Sequence, residues 1–313
     1  MPLSTSSSSS RLHGRRTRFS IWAIIVGIAL IGAGSEAATI FGVHRVSKIL
    51  GRTMQEYRDS QTLGRYSPLE KPTMLLVGNS LLLEAVNYPA LKNALSAEYD
   101  VHRLVFEQTE YLDQYYVLRS LFRNGARPHD VVLCTSVVHF IGNDTRGEFM
   151  ARYMDPIDIA SLGRRQHMDA TTISSLMFAH WSDWFAYRAE TRKVLLGHVM
   201  PDVTELATKL GWRPAQPVIP ETVRVKAAPR LTELKRLCDE HGSRLTILVP
   251  PSIGQDHAEV LASMGKIAGV RVLIPEQPGT MNSALFRDGF HLNPAGADIF
   301  TAKLESELAI PAQ

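Results

Sequence analysis

The sequence predicts an α/β chain in which a mostly parallel sheet is covered by helices on both faces. Two observations predict it: short apolar runs alternate with stretches of helical periodicity, and the connections between them are short. At 313 residues with 45% hydrophobic content, the chain can bury one substantial core or two small ones, which excludes disorder throughout. The stretch that organises the rest is 73–84, TMLLVGNSLLLE: an apolar run, a Gly-Asn-Ser turn, then a second apolar run suited to a helix.

The amino terminus sets the first boundaries. A Ser-rich stretch and Arg11, Arg15, Arg16 and Arg18 make residues 1–18 a disordered basic leader. Residues 19–35 carry no charge, and extension past Glu36 to Val43 gives a span of sufficient length, since ~20 residues cross a hydrocarbon core. The expectation is a transmembrane anchor over 19–43, with basic flanks holding the amino terminus in the cytoplasm and the body exported; Arg45, Lys48 and Arg52 oppose that bias. Two other readings stand beside it: a signal peptide cleaved near Ser35-Glu36-Ala37, and an apolar helix packed against a soluble cytoplasmic body. Residues 44–70 read as a juxtamembrane helix and linker.

From 71 to 313 the pattern is that of a single α/β domain. Strands are expected at 73–77, 101–106, 131–135, 245–249 and 270–273. Helices are expected at 81–96 with a break at Tyr88-Pro89, and at 111–123, 229–241 and 256–268. A terminal helix is opened by Asn293 as N-cap and Pro294 in the first turn, with Ile299, Phe300, Leu304 and Leu308 on its apolar side. Between about 142 and 225 the strands stop, and this stretch reads as a helical insertion. Its longest helix falls at 182–198, carrying Trp184, Phe185 and Tyr187 as core or as a surface that touches membrane or glycan; Pro214, Pro217 and Pro220 form a stiff connector.

Composition narrows the function classes. A net charge of +3, with much of the basic excess in the first twenty residues, leaves a nearly neutral body and no nucleic-acid footprint. Cys134 and Cys238 lie in apolar settings without CxxC or metal-ligand spacing and read as buried thiols. The histidines show no HxH, HxxxH or HExxH spacing, and there is no Gly-rich phosphate loop, so neither metal nor cofactor is indicated.

The chemistry lies at the two ends of the domain. A strand that delivers Ser80 to the first turn of a helix exposes its hydroxyl at the carboxyl edge of a sheet, beside free backbone N–H groups. A serine hydroxyl needs a base, and the base needs a carboxylate to fix its tautomer. Asp288 and His291, three residues apart just before the last helix, supply both if the turn is tight. Singly, Ser80 is equally a helix N-cap, Asp288 an Asx turn and His291 a histidine beneath a helix; their joint placement is what makes them a candidate triad.

At these residues the chain resembles the SGNH, or GDSL-type, hydrolase and acyltransferase superfamily. Leu76-Val77-Gly78-Asn79-Ser80 is similar to its first block, with Asn79 where the aspartate of the eponymous motif stands, and Asp288-Gly-Phe-His291 is similar to its last. The resemblance covers roughly 72–140 and 230–310. It implies a three-layer flavodoxin-like sheet, a Ser80-His291-Asp288 triad, and hydrolysis or transfer of an ester-linked acyl group without a cofactor. With the anchor it further resembles membrane-tethered members that act outside the cytoplasm. Two departures accompany it. The second block places a glycine after the second strand to donate its N–H to the oxyanion, whereas this chain has Glu107-Gln108-Thr109-Glu110, so Gln108 or Thr109 would have to serve. The third block places an asparagine after the third strand; the nearest match, Asn143 in Gly142-Asn143-Asp144, comes several residues late and is either an oxyanion donor or a turn residue, while Ser136 and His139 sit closer to the strand's end.

The expected function is therefore an acyl-ester hydrolase or O-acyltransferase, acetyl being the expected group, on a cell-envelope or exported polysaccharide. Its partners would be the membrane, the acylated polymer and a membrane-bound synthase or acyl donor. The alternative is an SGNH-like scaffold with a decayed oxyanion hole that binds a polysaccharide or synthase.

Overall fold

The computed structural model describes residues 10–64, 71–200 and 218–308. Five strands, β1 (Thr73–Gly78), β2 (Asp100–Val105), β3 (Asp130–Cys134), β4 (Arg244–Leu248) and β5 (Arg271–Leu273), form one all-parallel sheet in the order β2-β1-β3-β4-β5. Each lies within one residue of its apolar run. Around the sheet lie α1 (Ser10–Ala38), α2 (Lys48–Gln61), α3 (Ser80–Ala85), α4 (Tyr111–Arg123), α5 (Val137–Ile141), α6 (Pro220–Glu240), α7 (Ala258–Ala268) and α8 (Pro294–Leu308), with shorter helical pieces between.

The two-residue period of a strand sorts its side chains onto two cores. Leu75, Val77, Leu104, Val131, Leu133, Leu245 and Ile247 pack with α4, α6 and α7. Met74, Leu76, Val101, Val105, Val132, Cys134 and Leu248 pack on the other face with α3 and α8. The helices of the insertion join the first core through Phe149, Met150, Tyr153, Ile159, Leu162 and Tyr187. Because the chain leaves β1 toward β2 on one side and later adds β3 on the other, the carboxyl ends of β1 and β3 flank the crevice where open α/β sheets bind ligands.

The amino-terminal region is more closely tied to the body than a linker would be. Helix α2 covers the outer edge of β2: the Val105 N–H donates to Glu56 Oε2 (2.9 Å), Thr53 Oγ1 donates to Val105 O (3.3 Å), and Arg103 binds Glu56. An exposed sheet edge is thereby closed by side chains. The stretch Ile21–Val46 is long and apolar enough to cross a membrane. Side chains over 21–34 are almost all exposed, Ile31 at 72%, whereas Thr39 is buried against the body. Helix α1 already starts at Ser10, so the basic residues 11–18, expected as a disordered leader, run into the helix.

Several expectations are corrected. The 182–198 helix is two pieces, Asp183–Ala186 and Arg188–Val199, interrupted at Tyr187, which is buried and hydrogen-bonded through its hydroxyl to Tyr153 (3.0 Å). Glu36, an apparent cost within a span, instead accepts hydrogen bonds from Ser182 Oγ (2.8 Å) and the N–H groups of Asp183 (2.6 Å) and Trp184 (3.1 Å). Helix α6 starts at Pro220 and contains Pro229. Pro220 opens that helix, where its fixed φ suits the first turn, and is no connector; Pro214 and Pro217 lie outside the described residues. Val223, Ala227, Leu231 and Leu234 form a buried stripe whose packing outweighs the one hydrogen bond that Pro229 omits. In α8 Phe300, Leu304 and Leu308 are buried, but Ile299 is on the exposed side. Both cysteines are free and buried.

Candidate active site

Strand β1 ends at Gly78 because nothing larger fits: a Cβ there would come within 2.8 Å of both Cys134 O and Leu82 Cβ. The next residue, Asn79, is buried and works in two directions. Its side-chain oxygen caps α3 by accepting the Leu81 N–H (3.0 Å), and its Nδ2 donates to Thr109 O (3.0 Å) on the loop after β2. Ser80 follows as the first helical residue, facing the crevice.

The partner loop is a tight antiparallel turn. Phe286 bridges Leu292, the Arg287 N–H donates to His291 O (2.8 Å), and Gly289 takes φ 86°, a left-handed conformation suited to glycine. This turn sets Asp288 and His291 side by side, with Nδ1–H of His291 donating to Asp288 Oδ2 (2.8 Å). The other imidazole nitrogen, Nε2, is 2.9 Å from Ser80 Oγ, across 211 positions of sequence. What little burial Asp288 has pushes its pKa up, but the N–H groups of His291 and Phe290 and the His291 ring outweigh it and hold the carboxyl down at about 2. Asp288 is therefore a carboxylate at neutral pH, able to fix the tautomer of His291 and leave Nε2 to accept the Ser80 proton.

Beside Ser80 opens a cleft of about 400 Å³, lined by Leu81, Gln108, Glu110, His139, Asp144, Thr145, Phe290 and His291. Gln108 has φ 58°, left-handed for a residue that is not glycine, so the loop keeps a glycine-like backbone without the glycine. The Ser80 and Gln108 N–H groups have no hydrogen-bond acceptor among the described residues. Thr109 is fully buried; its hydroxyl donates to Phe106 O (2.6 Å) and its carbonyl accepts from Asn79, so it braces the loop and does not line the cleft. Asn143 is not brought to the cleft either. Its side-chain oxygen is bound by the Arg230 guanidinium, which also donates to Gly142 O (2.7 Å), so Asn143 sits in a turn held from α6.

Four cleft residues, His139, Glu110, Asp144 and Thr145, were not singled out as site residues from the sequence. His139 stands where Asn143 was expected, one turn beyond the end of β3, and its closeness to that strand end is the signal that could have singled it out. Its Nδ1 is 2.7 Å from Ser136 Oγ, and burial, with the neighbouring His291 ring, lowers its pKa and favours the neutral ring. Glu110 accepts the Asp144 N–H (2.9 Å); burial raises its pKa against that bond. Asp144 and Thr145 complete a polar wall, Asp144 belonging to the Gly142-Asn143-Asp144 run whose asparagine was the candidate. Burial pushes the Cys134 thiol up and that of Cys238 up to about 12, so neither is a nucleophile. A second cavity, about 220 Å³, opens at the amino ends of the strands, away from Ser80; its floor carries the Arg244–Asp130 ion pair (2.7 Å).

No family model and no curated protein matches the chain. Among solved structures it is similar to one from Streptococcus pneumonia, provisionally titled as that of a platelet activating factor, at 11% identity and a TM-score of 0.37, over 87% of this chain and 98% of that one. At that level the likeness carries no argument, and the site rests on its own geometry.

Proposed function

We propose that the chain is a membrane-anchored acyl-ester hydrolase or O-acyltransferase of the SGNH type, acting through Ser80, His291 and Asp288. One observation carries the reading: His291 sits within hydrogen-bond reach of both Ser80 Oγ (2.9 Å) and Asp288 (2.8 Å), although Ser80 comes from the far end of the domain. The strand order, which is the flavodoxin-like doubly wound order, and the position of Ser80 at the switch point support it. Ser80 Oγ attacks the ester carbonyl carbon as His291 takes the hydroxyl proton; the proton then passes to the departing alkoxide. Water or an acceptor hydroxyl, deprotonated by His291, attacks the acyl-enzyme and frees Ser80. The N–H groups of Ser80 and Gln108 are the donors for the oxyanion, with the His139 ring beside them in the cleft. The basic residues ahead of the apolar helix favour an exported body, and an acylated cell-envelope polymer is the substrate class that suits this placement.

The test is labelling of the folded full-length protein with a serine-directed fluorophosphonate. The wild type should label, Ser80→Ala should not, and His291→Ala should label far more slowly. A folded wild type that stays unlabelled would sink the proposal. The capture of Asn143 by Arg230 favours a second reading, a binding scaffold without a working oxyanion hole; it requires that Ser80→Ala retain full function in cells.

A further inference from the structure

We propose that this protein takes an acyl chain longer than acetyl, seated in an apolar cavity behind Ser80. The proposal rests on the serine-esterase reading above. A cavity of about 250 Å³ adjoins the catalytic cleft and shares two walls with it, Leu81 and Phe290. Its other walls are mostly apolar: Val138 from α5, Val218 ahead of α6, and Pro250, Pro251 and Ile253 from the loop at the carboxyl end of β4. At ~30 Å³ for a water-sized group, such a cavity has room for roughly eight chain carbons.

The polar groups on its wall are mostly spent within the protein. Ser252 Oγ donates to Gly254 O (2.7 Å), Gln255 Nε2 to Pro278 O (3.2 Å), and Ser136 Oγ is engaged with His139. Asp256 accepts the Ala258 N–H (3.1 Å) through one oxygen, while its other oxygen is buried without a partner. No lysine or arginine is among the described wall residues, so nothing there offsets the charge of a phosphate or a free carboxylate, and an acidic group opposes either. A neutral alkyl chain fits these walls. The neighbouring cleft, with Gln108, Glu110, Asp144 and Thr145, is the polar side and receives the alcohol half of the ester. Two cavities that share Leu81 and Phe290, the one beside Ser80 carrying the charged and amide side chains, would thus sort the two halves of one substrate.

The experiment is a chain-length series of p-nitrophenyl esters, acetate to octanoate, with the full-length protein in detergent, alongside fluorophosphonate labelling. For wild type, kcat/KM should rise by about fourfold for each methylene that the cavity buries. Ile253→Trp and Val138→Phe, which fill the cavity, should lower octanoate turnover by about tenfold or more while acetate turnover stays within about twofold. A wild type that labels but prefers acetate overturns the proposal and leaves the Ser80 reading standing. A wild type that neither labels nor turns over any ester overturns both. If the filled variants do not fold, the wild-type series decides alone.

Discussion

The nucleophile and the loop meant to stabilise its oxyanion lie side by side at the carboxyl edge of the sheet, yet they are held in different ways. The nucleophile half is local. Asn79 caps the helix that Ser80 begins, and Asp288 binds a histidine three residues away within one short turn. The oxyanion half is assembled from afar. Glu107, next to Gln108, is bound by Arg52 of α2 (2.7 Å), and its carbonyl by Arg146 (2.8 Å), which is itself paired with Glu190 of the insertion (2.7 Å). Arg230 of α6 holds the loop that carries Asn143. Local devices position Ser80, then, whereas the loop around Gln108, the proposed oxyanion site, depends on α2 and the insertion both being in place.

Four substitutions can break or sharpen this contrast. The largest effect belongs to the local half: His291→Ala should lower kcat by ~10²- to 10⁴-fold with little change in the melting temperature, read from ester hydrolysis and a thermal scan. Next comes Asn79→Ala, at a side chain that joins the halves. It leaves Thr109 O without its donor and α3 without its cap, so a loss of ~1–3 kcal/mol in denaturant unfolding is expected, with a fall in kcat. An unchanged kcat would show that the two halves are not coupled through Asn79.

The third is a pH effect. Burial raises the Asp113 carboxyl to about 7, against the pull of the Arg146 N–H (3.0 Å). Its folded pKa is above its unfolded one, so the native state binds the extra proton, and stability falls as pH rises from the ordinary carboxylate range to about 7. Asp113→Asn, which can still accept that N–H, should remove this loss and raise the melting temperature at pH 8 relative to wild type, with no gain at pH 4. The smallest effect is that of Gln108→Gly. It keeps the N–H and relieves a left-handed side chain, so stability should change by less than ~1 kcal/mol and kcat should persist. A collapse of kcat would mean that the Gln108 side chain, and not its backbone, serves the cleft.

The same contrast governs what could be read in the sequence. The five strands announce themselves as apolar runs, and the triad as a serine after the first strand and an Asp-His pair before the last helix, because those signals lie within a few residues of one another. Asn143 stayed open between an oxyanion donor and a turn residue because its partner, Arg230, lies 87 positions away. Gln108 was legible only as a missing glycine; the loop's hold on its φ comes from Glu107, Thr109 and their remote partners. His139 had position but no motif, and Glu110 and Asp144 lay beside the two departures, where attention went to their neighbours. The role of α2 was also hidden, since Glu56 and Thr53 look like surface residues until the edge of β2 is placed beside them.

That covered edge carries a mechanical consequence. Only the π-helical turn Thr39–Val43, the short helix His44–Val46 and Ser47 separate α1 from α2, and α2 is bolted to β2 and to Glu107. A slack tether would let the cleft wander over a distance that grows with the square root of the tether's length. A docked helix gives no such freedom. Any membrane that receives residues 21–34 would fix the cleft at a single height and tilt, and the acyl donor and its acceptor would have to arrive at that height. A shortened chain that starts at 71 would lose more than an anchor: it would expose the β2 edge to pairing with other chains and release the oxyanion loop from Arg52.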